Sequence, residues 1–181
     1  MRLDWVPATD RPDLLAEPVR VALERLLAEG VLEPPDVEVA EIDPDLADTA
    51  ELVEASGLPM DDMANCIVIA GQRGGEERVC AALVLGTTRA DVNRTVRKAL
   101  DVRKCSFLAM DEAVGRTGME YGGITPLGLP AGWRVLVDEA VPARGSIIVG
   151  SGLRRSKLRL AGTVAARLPG AEVVPGLGLP V

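Results

Sequence analysis

Two short apolar runs separated by a glycine turn lie near the middle of this chain of 181 residues. The first run covers Cys66 to Ala70 and the second covers Val79 to Leu85. The polar segment between them contains Gly74-Gly75. Runs of this length around a glycine turn predict a β-hairpin, and their continuous apolar character predicts that both of its faces are buried. This hairpin is the clearest structural element that the sequence predicts.

Further helices and strands are predicted on either side of the hairpin. Pro18 near the start of an apolar periodic segment and Gly30 at its end predict a helix over 17–30. Thr88 followed by Asp91 resembles a capping box and predicts a helix over 88–100. Shorter helices are predicted over 49–56, 111–114 and 162–168, and strands over 37–42, 105–108, 134–137, 146–149 and 158–160. Because these elements follow no strict βαβ repeat, the sequence predicts an α+β fold around one sheet.

The chain contains no histidine, which excludes several kinds of chemistry. Ser–His–Asp and Cys–His nucleophile systems are ruled out, and so are zinc sites that need imidazole. Cys66, Cys80 and Cys105 lie beside apolar residues without Cys-x-x-Cys spacing, so we expect reduced, buried thiols. No carboxylates cluster with metal-ligand spacing, and no apolar stretch approaches the roughly 20 residues that span a bilayer. We therefore expect no metal, no cofactor, no membrane partner and a cytoplasmic location.

Charge is distributed unevenly along the chain. Residues 1–62 carry 4 Arg and no Lys against 17 acidic residues, a net charge of −13, whereas residues 63–181 carry 16 Lys and Arg against 10 acidic residues, a net charge of +6. This asymmetry predicts a basic working face beside an acidic appendage, although ordinary solvated surface explains the same pattern. The basic residues form two clusters, the first with Arg94, Arg97, Lys98, Arg103 and Lys104, and the second with Arg154, Arg155, Lys157 and Arg159.

Two glycine-rich segments are the candidate ligand-binding loops. The first runs from Tyr121 to Gly128 and the second from Gly150 to Arg154. Glycines let a backbone approach a ligand closely, and consecutive amides can bind an anion or a carboxylate. Tight turns explain the glycines as well, and neither segment matches a Walker A or a Rossmann fingerprint. The residues alone thus predict a glycine-lined pocket with basic surroundings and leave its ligand open.

Several short motifs, taken in chain order, resemble one known family. They are Thr49-Ala50-Glu51 followed by Gly57-Leu58-Pro59, then Asn65-Cys66-Ile67-Val68, then Val96-Arg97-Lys98-Ala99-Leu100, and then Gly122-Gly123-Ile124-Thr125-Pro126-Leu127-Gly128. Over residues 46–175 the chain resembles the YbaK/prolyl-tRNA-synthetase-associated editing domains, and the loop from Gly122 to Pro126 is the most diagnostic element. The resemblance implies one domain over residues 46–181, with a mixed, twisted, barrel-like β-sheet flanked by helices. Residues 1–45 are then expected to be an acidic N-terminal extension packed on that domain.

The resemblance also implies an activity. Members of the family are trans-editing deacylases, which hydrolyse the ester joining a wrong amino acid to tRNA, often the tRNA for proline. In them a water molecule attacks the ester with help from the terminal ribose hydroxyl, while loop amides orient the carbonyl. Catalysis of this kind relies on positioning and on oriented backbone dipoles rather than on a metal or a histidine. Mischarged aminoacyl-tRNA is therefore the expected partner, and an aminoacyl-tRNA synthetase is a second candidate.

The resemblance assigns residues of this chain to three roles. The catalytic candidates are Asn65, Gly122, Gly123, Ile124, Thr125 and Pro126, in which the amides of Gly122, Gly123 and Ile124 act as donors and Pro126 shapes the floor. The substrate-binding candidates are Tyr121, Asp138, Gly150, Ser151 and Gly152. The tRNA-binding candidates are Arg94, Arg97, Lys98, Arg154, Arg155 and Lys157, so binding of tRNA is expected to weaken steeply with salt.

Position 65 departs from the family pattern. Relatives typically have a lysine there, whose ammonium holds the 3′-terminal phosphate and the substrate, whereas Asn65 carries no charge. Relatives also often have a serine where Gly150 stands and an acid near Lys157. Loss of a charge-assisted hydrogen bond worth roughly 1.5–3 kcal/mol reduces affinity or rate by one to two decades.

Three hypotheses stay open because of this departure. They are an active deacylase with an altered substrate, a binder of tRNA or aminoacyl-tRNA without hydrolysis, and a repurposed pocket. If Asn65 only weakens substrate anchoring, Asn65→Lys should raise the deacylation of some mischarged tRNA.

Overall fold

The structure is a computed structural model that describes residues 1–181, the whole chain. Its strands are β1 (Val6–Pro7), β2 (Val37–Glu41), β3 (Ala64–Arg73), β4 (Glu76–Leu85), β5 (Thr88–Ala90), β6 (Cys105–Phe107), β7 (Arg134–Asp138), β8 (Ile147–Gly150), β9 (Ser156–Leu160), β10 (Ala171–Val174) and β11 (Gly178–Pro180). Its α-helices are α1 (Glu17–Ala28), α2 (Thr49–Ser56), α3 (Arg97–Leu100), α4 (Met110–Thr117) and α5 (Gly162–Ala165), and a π-helical turn at Val92–Val96 leads into α3.

The strands form two larger sheets and one small one. A mixed five-stranded sheet has the order β10-β7-β4-β3-β6, with parallel pairing on both sides of β7. An antiparallel four-stranded sheet has the order β1-β2-β9-β8, and β5 pairs with β11 in the third. A bridge between Met63 and Ile148 links the two larger sheets. The predicted α+β fold, with mixed, twisted sheets flanked by helices, is confirmed.

The predicted hairpin is formed by β3 and β4, and it is longer than expected. Its turn is Gly74-Gly75, where both residues have positive φ, a conformation that favours glycine. Leu83 belongs to the largest hydrophobic core, whereas Ala82 and Val84 belong to a second core. Because successive side chains of a strand point to opposite faces, β4 is covered on both sides, as predicted.

Residues 1–45 contribute to the largest core. Strand β2 pairs with β1 on one side and with β9 on the other. Leu23 and Leu26 of α1 are buried in the same core as Val149 and Leu158 of the four-stranded sheet. Removal of residues 1–45 would therefore leave one edge of β9 unpaired and expose apolar side chains of this core.

The helix predicted over 88–100 is wrong in its first third. Residues 88–90 form β5, which pairs with the C-terminal strand β11. The Thr88 hydroxyl donates to the Leu85 carbonyl, and the Asp91 carboxylate instead caps the following turn by accepting from the amides of Arg94 and Thr95. A pairing partner so far along the chain overrides the local capping signal, which explains the error.

Candidate active site

A cavity of about 510 Å³ is lined by residues of both larger sheets. Its volume lies within the range of about 300–1,000 Å³ that is typical of small-molecule sites. Fourteen of its twenty lining residues are hydrophobic. The lining comprises Ala47–Thr49, Met63–Val68, Phe107, Leu108, Met110, Ala113, Tyr121, Gly122, Ile124, Ile148–Gly150 and Lys157.

The cavity brings together six of the residues that the sequence analysis named. Asn65, Gly122 and Ile124 of the catalytic candidates line it, together with Tyr121, Gly150 and Lys157 of the binding candidates. The remaining catalytic and substrate-binding candidates do not; they are Gly123, Thr125, Pro126, Asp138, Ser151 and Gly152.

The two glycine-rich loops pack against each other, backbone to backbone. A Cβ at Gly150 would lie 2.1 Å from the Gly123 carbonyl oxygen, and one at Gly123 would lie 2.9 Å from backbone atoms of Gly152 and Leu153. The Gly152 amide donates to the Gly123 carbonyl at 2.8 Å. Close approach of two backbones therefore explains the glycines at 123 and 150, and this contact holds one wall of the cavity.

The amides of the first loop divide into engaged and free donors. The Gly123 amide donates to the Glu120 carbonyl at 2.9 Å, so it is not available to a ligand as the sequence analysis expected. The amides of Gly122 and Ile124 donate to no protein atom, and both residues line the cavity. Arg154 fixes this loop, since its guanidinium donates to the carbonyls of Tyr121 and Pro44, both at 3.2 Å.

Several predicted residues hold the scaffold instead of the cavity. The Asp138 carboxylate accepts from the amides of Ala140 and Gly178, which ties β7 to β11. The Ser151 hydroxyl lies 2.7 Å from that of Ser156 and is fully buried. Thr125 is also fully buried, and its hydroxyl has no hydrogen-bond partner. None of these three side chains is among the residues that line the cavity.

Asn65 and Lys157 both lie beside the segment that begins α2. The Thr49 hydroxyl donates to Asn65 Oδ1 at 2.9 Å, which leaves the Asn65 amide group as a donor. The Lys157 ammonium donates to the Ala47 carbonyl at 2.5 Å, and the residue is only 5% exposed. Burial lowers the pKa of Lys157 to about 8, the Asp48 carboxylate opposes this change, and the Arg154 guanidinium adds to it.

The cavity contains no activated thiol. Cys66 lines it, and burial raises the pKa of the Cys66 thiol to about 12, with a smaller contribution from Cys80. All three cysteines are free, as predicted, but only Cys80 is fully buried, whereas Cys66 and Cys105 are partly buried. A thiol with so high a pKa is protonated at neutral pH and is therefore a poor nucleophile.

The basic clusters lie in different environments. Arg94, Arg97 and Lys98 are exposed around the π-helical turn and α3, away from the cavity lining. Arg103 and Lys104 line a groove that shares Phe107 and Leu108 with the cavity.

The second basic cluster is held by acidic segments of the N-terminal region. The Arg155 guanidinium donates to the Asp13 carbonyl, and Arg159 forms an ion pair with Glu38 at 2.7 Å. Arg155 is exposed on the surface, whereas Lys157 is buried and lines the cavity. The sequence alone did not show that these two members of the cluster lie in different environments.

Sequence reasoning missed an apolar rim beside the cavity. Phe107, Met110 and Tyr121 are each more than half exposed, and all three line the cavity. Only Tyr121 had been named as a candidate. The structure contains no group of three or more side chains arranged to hold a metal ion, and none of its helices has the length and apolar character needed to cross a membrane.

The chain is an α+β domain with a cavity beside two glycine-rich loops that pack against each other. Residues 43–168 match the aminoacyl-tRNA editing domain family, and the chain belongs to this family. The resemblance carried by the sequence motifs is thereby confirmed. A search of curated proteins finds no match.

Solved structures show the same fold at low sequence identity. The chain is similar to the hypothetical protein APE2540, with a TM-score of 0.73 and 18% identity over 87% of this chain and 99% of that one. It is similar to a protein described as a proposed trans-editing enzyme for prolyl tRNA synthetase, with a TM-score of 0.70 and 20% identity over 88% and 96% of the two chains. A scaffold protein used for computational epitope grafting has a TM-score of 0.72 and 20% identity over 92% and 100%.

Proposed function

We propose that this protein is an aminoacyl-tRNA deacylase, which hydrolyses in trans the ester between a wrong amino acid and its tRNA, with tRNA for proline as the first candidate. One observation carries the proposal. Gly122 and Ile124, whose amides donate to no protein atom, line the same cavity as Asn65 and Lys157, inside the region that matches the editing family.

The cavity is rich in hydrogen-bond donors. Besides the two free amides it contains the Asn65 amide group and the Lys157 ammonium, whereas Asp48 is its single carboxylate. An aminoacyl ester on a 3′-terminal nucleotide presents the complementary chemistry, because its carbonyl and phosphate oxygens are acceptors. The donor set therefore favours a ligand with several acceptor oxygens, such as this one, over a metal ion.

Hydrolysis in this site would rely on positioning. Water adds to the ester carbonyl, and negative charge develops on the carbonyl oxygen. The bond to the ribose oxygen then breaks, this oxygen takes up the proton that the water has lost, and the amino acid and tRNA are released. The amides of Gly122 and Ile124 are suited to bind the developing oxyanion, since donors held by a rigid loop need no reorganisation. The protonated Cys66 takes no part as a nucleophile. The resemblance to the editing family implies that the ribose hydroxyl of the substrate assists the water.

The wall around the amino-acid side chain would select by size and polarity. Val68, Leu108 and Ile148 make this wall apolar. One methylene is worth about 10–200-fold in discrimination by such a pocket. We therefore expect alanine or cysteine esters to be preferred over serine and threonine esters, whose hydroxyls lack a partner on this wall.

The groove beside the cavity is the proposed path of the acceptor stem. Arg103 and Lys104 line it, and its two carboxylates, Glu77 and Glu112, are already paired with Arg116. The two basic side chains are thus free to bind phosphates close to the cavity mouth at Phe107.

Single-turnover hydrolysis tests the proposal. Purified protein is mixed with tRNA for proline charged with alanine, cysteine, serine or threonine, and the correctly charged tRNA serves as the matched control. We expect at least one mischarged tRNA to be hydrolysed well above its spontaneous rate, while the correct ester is spared. Spontaneous rates on the whole panel, with tight retention of the tRNA, would replace the deacylase by a binder without hydrolysis.

A further inference from the structure

Lys157 has an unusual environment for a lysine. It lies on β9 and is 95% buried, although lysines are almost never fully buried unless they are paired. Its Nζ makes one protein hydrogen bond, to the neutral carbonyl of Ala47. An ammonium has three donors, so two of them have no protein acceptor.

The fold around Lys157 keeps space for a ligand beside it. On β9, Leu158 and Leu160 belong to the largest core, and the alternation of a strand directs Lys157 to the opposite face. Its neighbours across the sheet are Ala40 on β2 and Gly150 on β8, which are both small. No bulky side chain at these paired positions therefore shields the ammonium from the cavity.

A structural role explains this arrangement poorly. The Ala47 carbonyl needs only one donor, and the aliphatic stem of the side chain could pack equally well without a charge. Burying an ammonium that lacks a close carboxylate partner is unfavourable for folding. Groups placed in this way are concentrated at functional sites.

We propose that Lys157 is the substrate-binding cation of this cavity, and that its ammonium binds an acceptor oxygen of the 3′-terminal nucleotide of aminoacyl-tRNA. This inference rests on the proposed function for the nature of the ligand. It places the positive charge on β9, whereas a lysine at position 65 would bring it from β3. Asn65 and Lys157 contact the same short segment, through Thr49 and Ala47 respectively, so both positions reach one region of the cavity.

The acceptor oxygen has two possible sources within the substrate, the 5′-phosphate and the ester carbonyl. A stable amide analogue, 3′-alanylamino-3′-deoxyadenosine, prepared with and without a 5′-phosphate, distinguishes the phosphate from the carbonyl as the acceptor. Binding of each analogue is measured by calorimetry for wild type, for Lys157→Met and for Arg167→Met. The last variant is the matched control, because it removes one positive charge from an exposed residue outside the cavity lining.

Lys157→Met is expected to weaken binding roughly ten- to hundredfold, the range for loss of one charge-assisted hydrogen bond. A loss confined to the phosphorylated analogue assigns the phosphate, and a loss with both analogues assigns the carbonyl. Arg167→Met should bind within twofold of wild type. Equal binding by wild type and Lys157→Met, or no binding of either analogue to wild type, would overturn the proposal.

The pH dependence of binding, compared between wild type and Lys157→Met, separates a ligand contact from a structural effect. Asp48 and Arg154 are the charged groups that act on Lys157. Because the bound form carries the charge, affinity of wild type should fall about tenfold per pH unit above pH 8, and Lys157→Met should show no such fall. Flat affinity of wild type up to pH 9.5 would contradict the inference even if the variant failed to fold.

Hydrolysis assays keep this inference distinct from the proposed function. Weak analogue binding by Lys157→Met, together with no hydrolysis by wild type, would support the cation and reject the deacylase. Hydrolysis at equal rates by wild type and Lys157→Met would support the deacylase and reject the cation.

Discussion

A ligand-binding role for Lys157 predicts that the lysine lowers the stability of the free protein. Its pKa of about 8 lies well below the ordinary value of 10.5, because burial disfavours the charged form. At 1.36 kcal/mol per pH unit, this difference corresponds to about 3 kcal/mol against the folded state at pH 7. Replacement by methionine keeps most of the aliphatic stem and removes that term.

Lys157→Met also loses an interaction, which offsets part of the stability gained by removing the buried ammonium. Lys157→Met removes the donor to the Ala47 carbonyl, and a buried carbonyl without a partner costs about 1–2 kcal/mol. We therefore expect Lys157→Met to raise the free energy of unfolding at pH 7 by about 1–2 kcal/mol. The same substitution should weaken substrate binding, so stability and function change in opposite directions.

The sign of the pH dependence follows from the direction of the shift. Since the folded pKa lies below the unfolded one, the unfolded state binds more protons between about pH 8 and 10.5, and the stability of wild type gains from this group as the pH rises through that window. The advantage of Lys157→Met should therefore shrink by about 2 kcal/mol between pH 7 and 9.5. Comparing the two proteins at each pH cancels the titration of all other groups.

Urea unfolding, followed by the fluorescence of Trp5 and Trp133, measures these differences, with Arg167→Met as the charge control. A variant less stable than wild type at pH 7 would refute the reasoning. So would an advantage that stays constant from pH 7 to 9.5, because the ammonium would then not be the source of the effect.

Four further predictions follow from the same contacts. Gly150→Ala should lower the unfolding free energy by about 1–3 kcal/mol, because its Cβ would meet the Gly123 carbonyl. The control Gly115→Ala, whose Cβ would lie in open space on α4, should raise the unfolding free energy by about 0.5–1 kcal/mol, and thermal unfolding compares the two variants. Thr125→Val should raise the unfolding free energy by about 1 kcal/mol in urea by removing an unpaired buried hydroxyl, and a loss of stability would show that the hydroxyl has a partner. Asn65→Lys should bind the analogue no more tightly than wild type, since it adds a second ammonium to the cavity. The double variant Asn65→Lys with Lys157→Met should bind the analogue more tightly than Lys157→Met alone, and calorimetry measures both differences. Arg103→Ala with Lys104→Ala should reduce the slope of log affinity for tRNA against log salt by about 1.5, and a larger reduction in Arg94→Ala with Arg97→Ala would move the tRNA path to α3.

Local signals predicted the elements of the fold that depend on local interactions. The hairpin of β3 and β4 follows from apolar runs around Gly74-Gly75, and α2 begins and ends where the sequence placed it. The region over 88–100 was misassigned because β5 is stabilised by β11, at the other end of the chain. Strands β1, β10 and β11 are short and depend on partners that sequence periodicity does not reveal.

The site was predicted in part, for a related reason. The glycine loops were recognised from the sequence, but their glycines at 123 and 150 serve contact between the loops. Gly122 and Ile124 line the cavity, and their amides donate to no protein atom. Lys157 was assigned to tRNA binding with its basic neighbours. Alternation along β9 shows that it faces away from Leu158, but only the tertiary structure shows that this face borders a cavity.

The three hypotheses left open by Asn65 differ in what they require of the cavity. The absence of a charge at position 65 counts against an editing site only if no other cation lines the cavity. With Lys157 in the lining, the donor set again includes an ammonium, and Asn65 still offers its amide group because Thr49 occupies its oxygen. A pocket that had lost its anionic or ester ligand would be expected to lose this ammonium too, because burying it destabilises the fold. Its presence therefore favours a site that still binds an acceptor-rich substrate over a repurposed one, and leaves hydrolysis as the property that divides an altered deacylase from a binder.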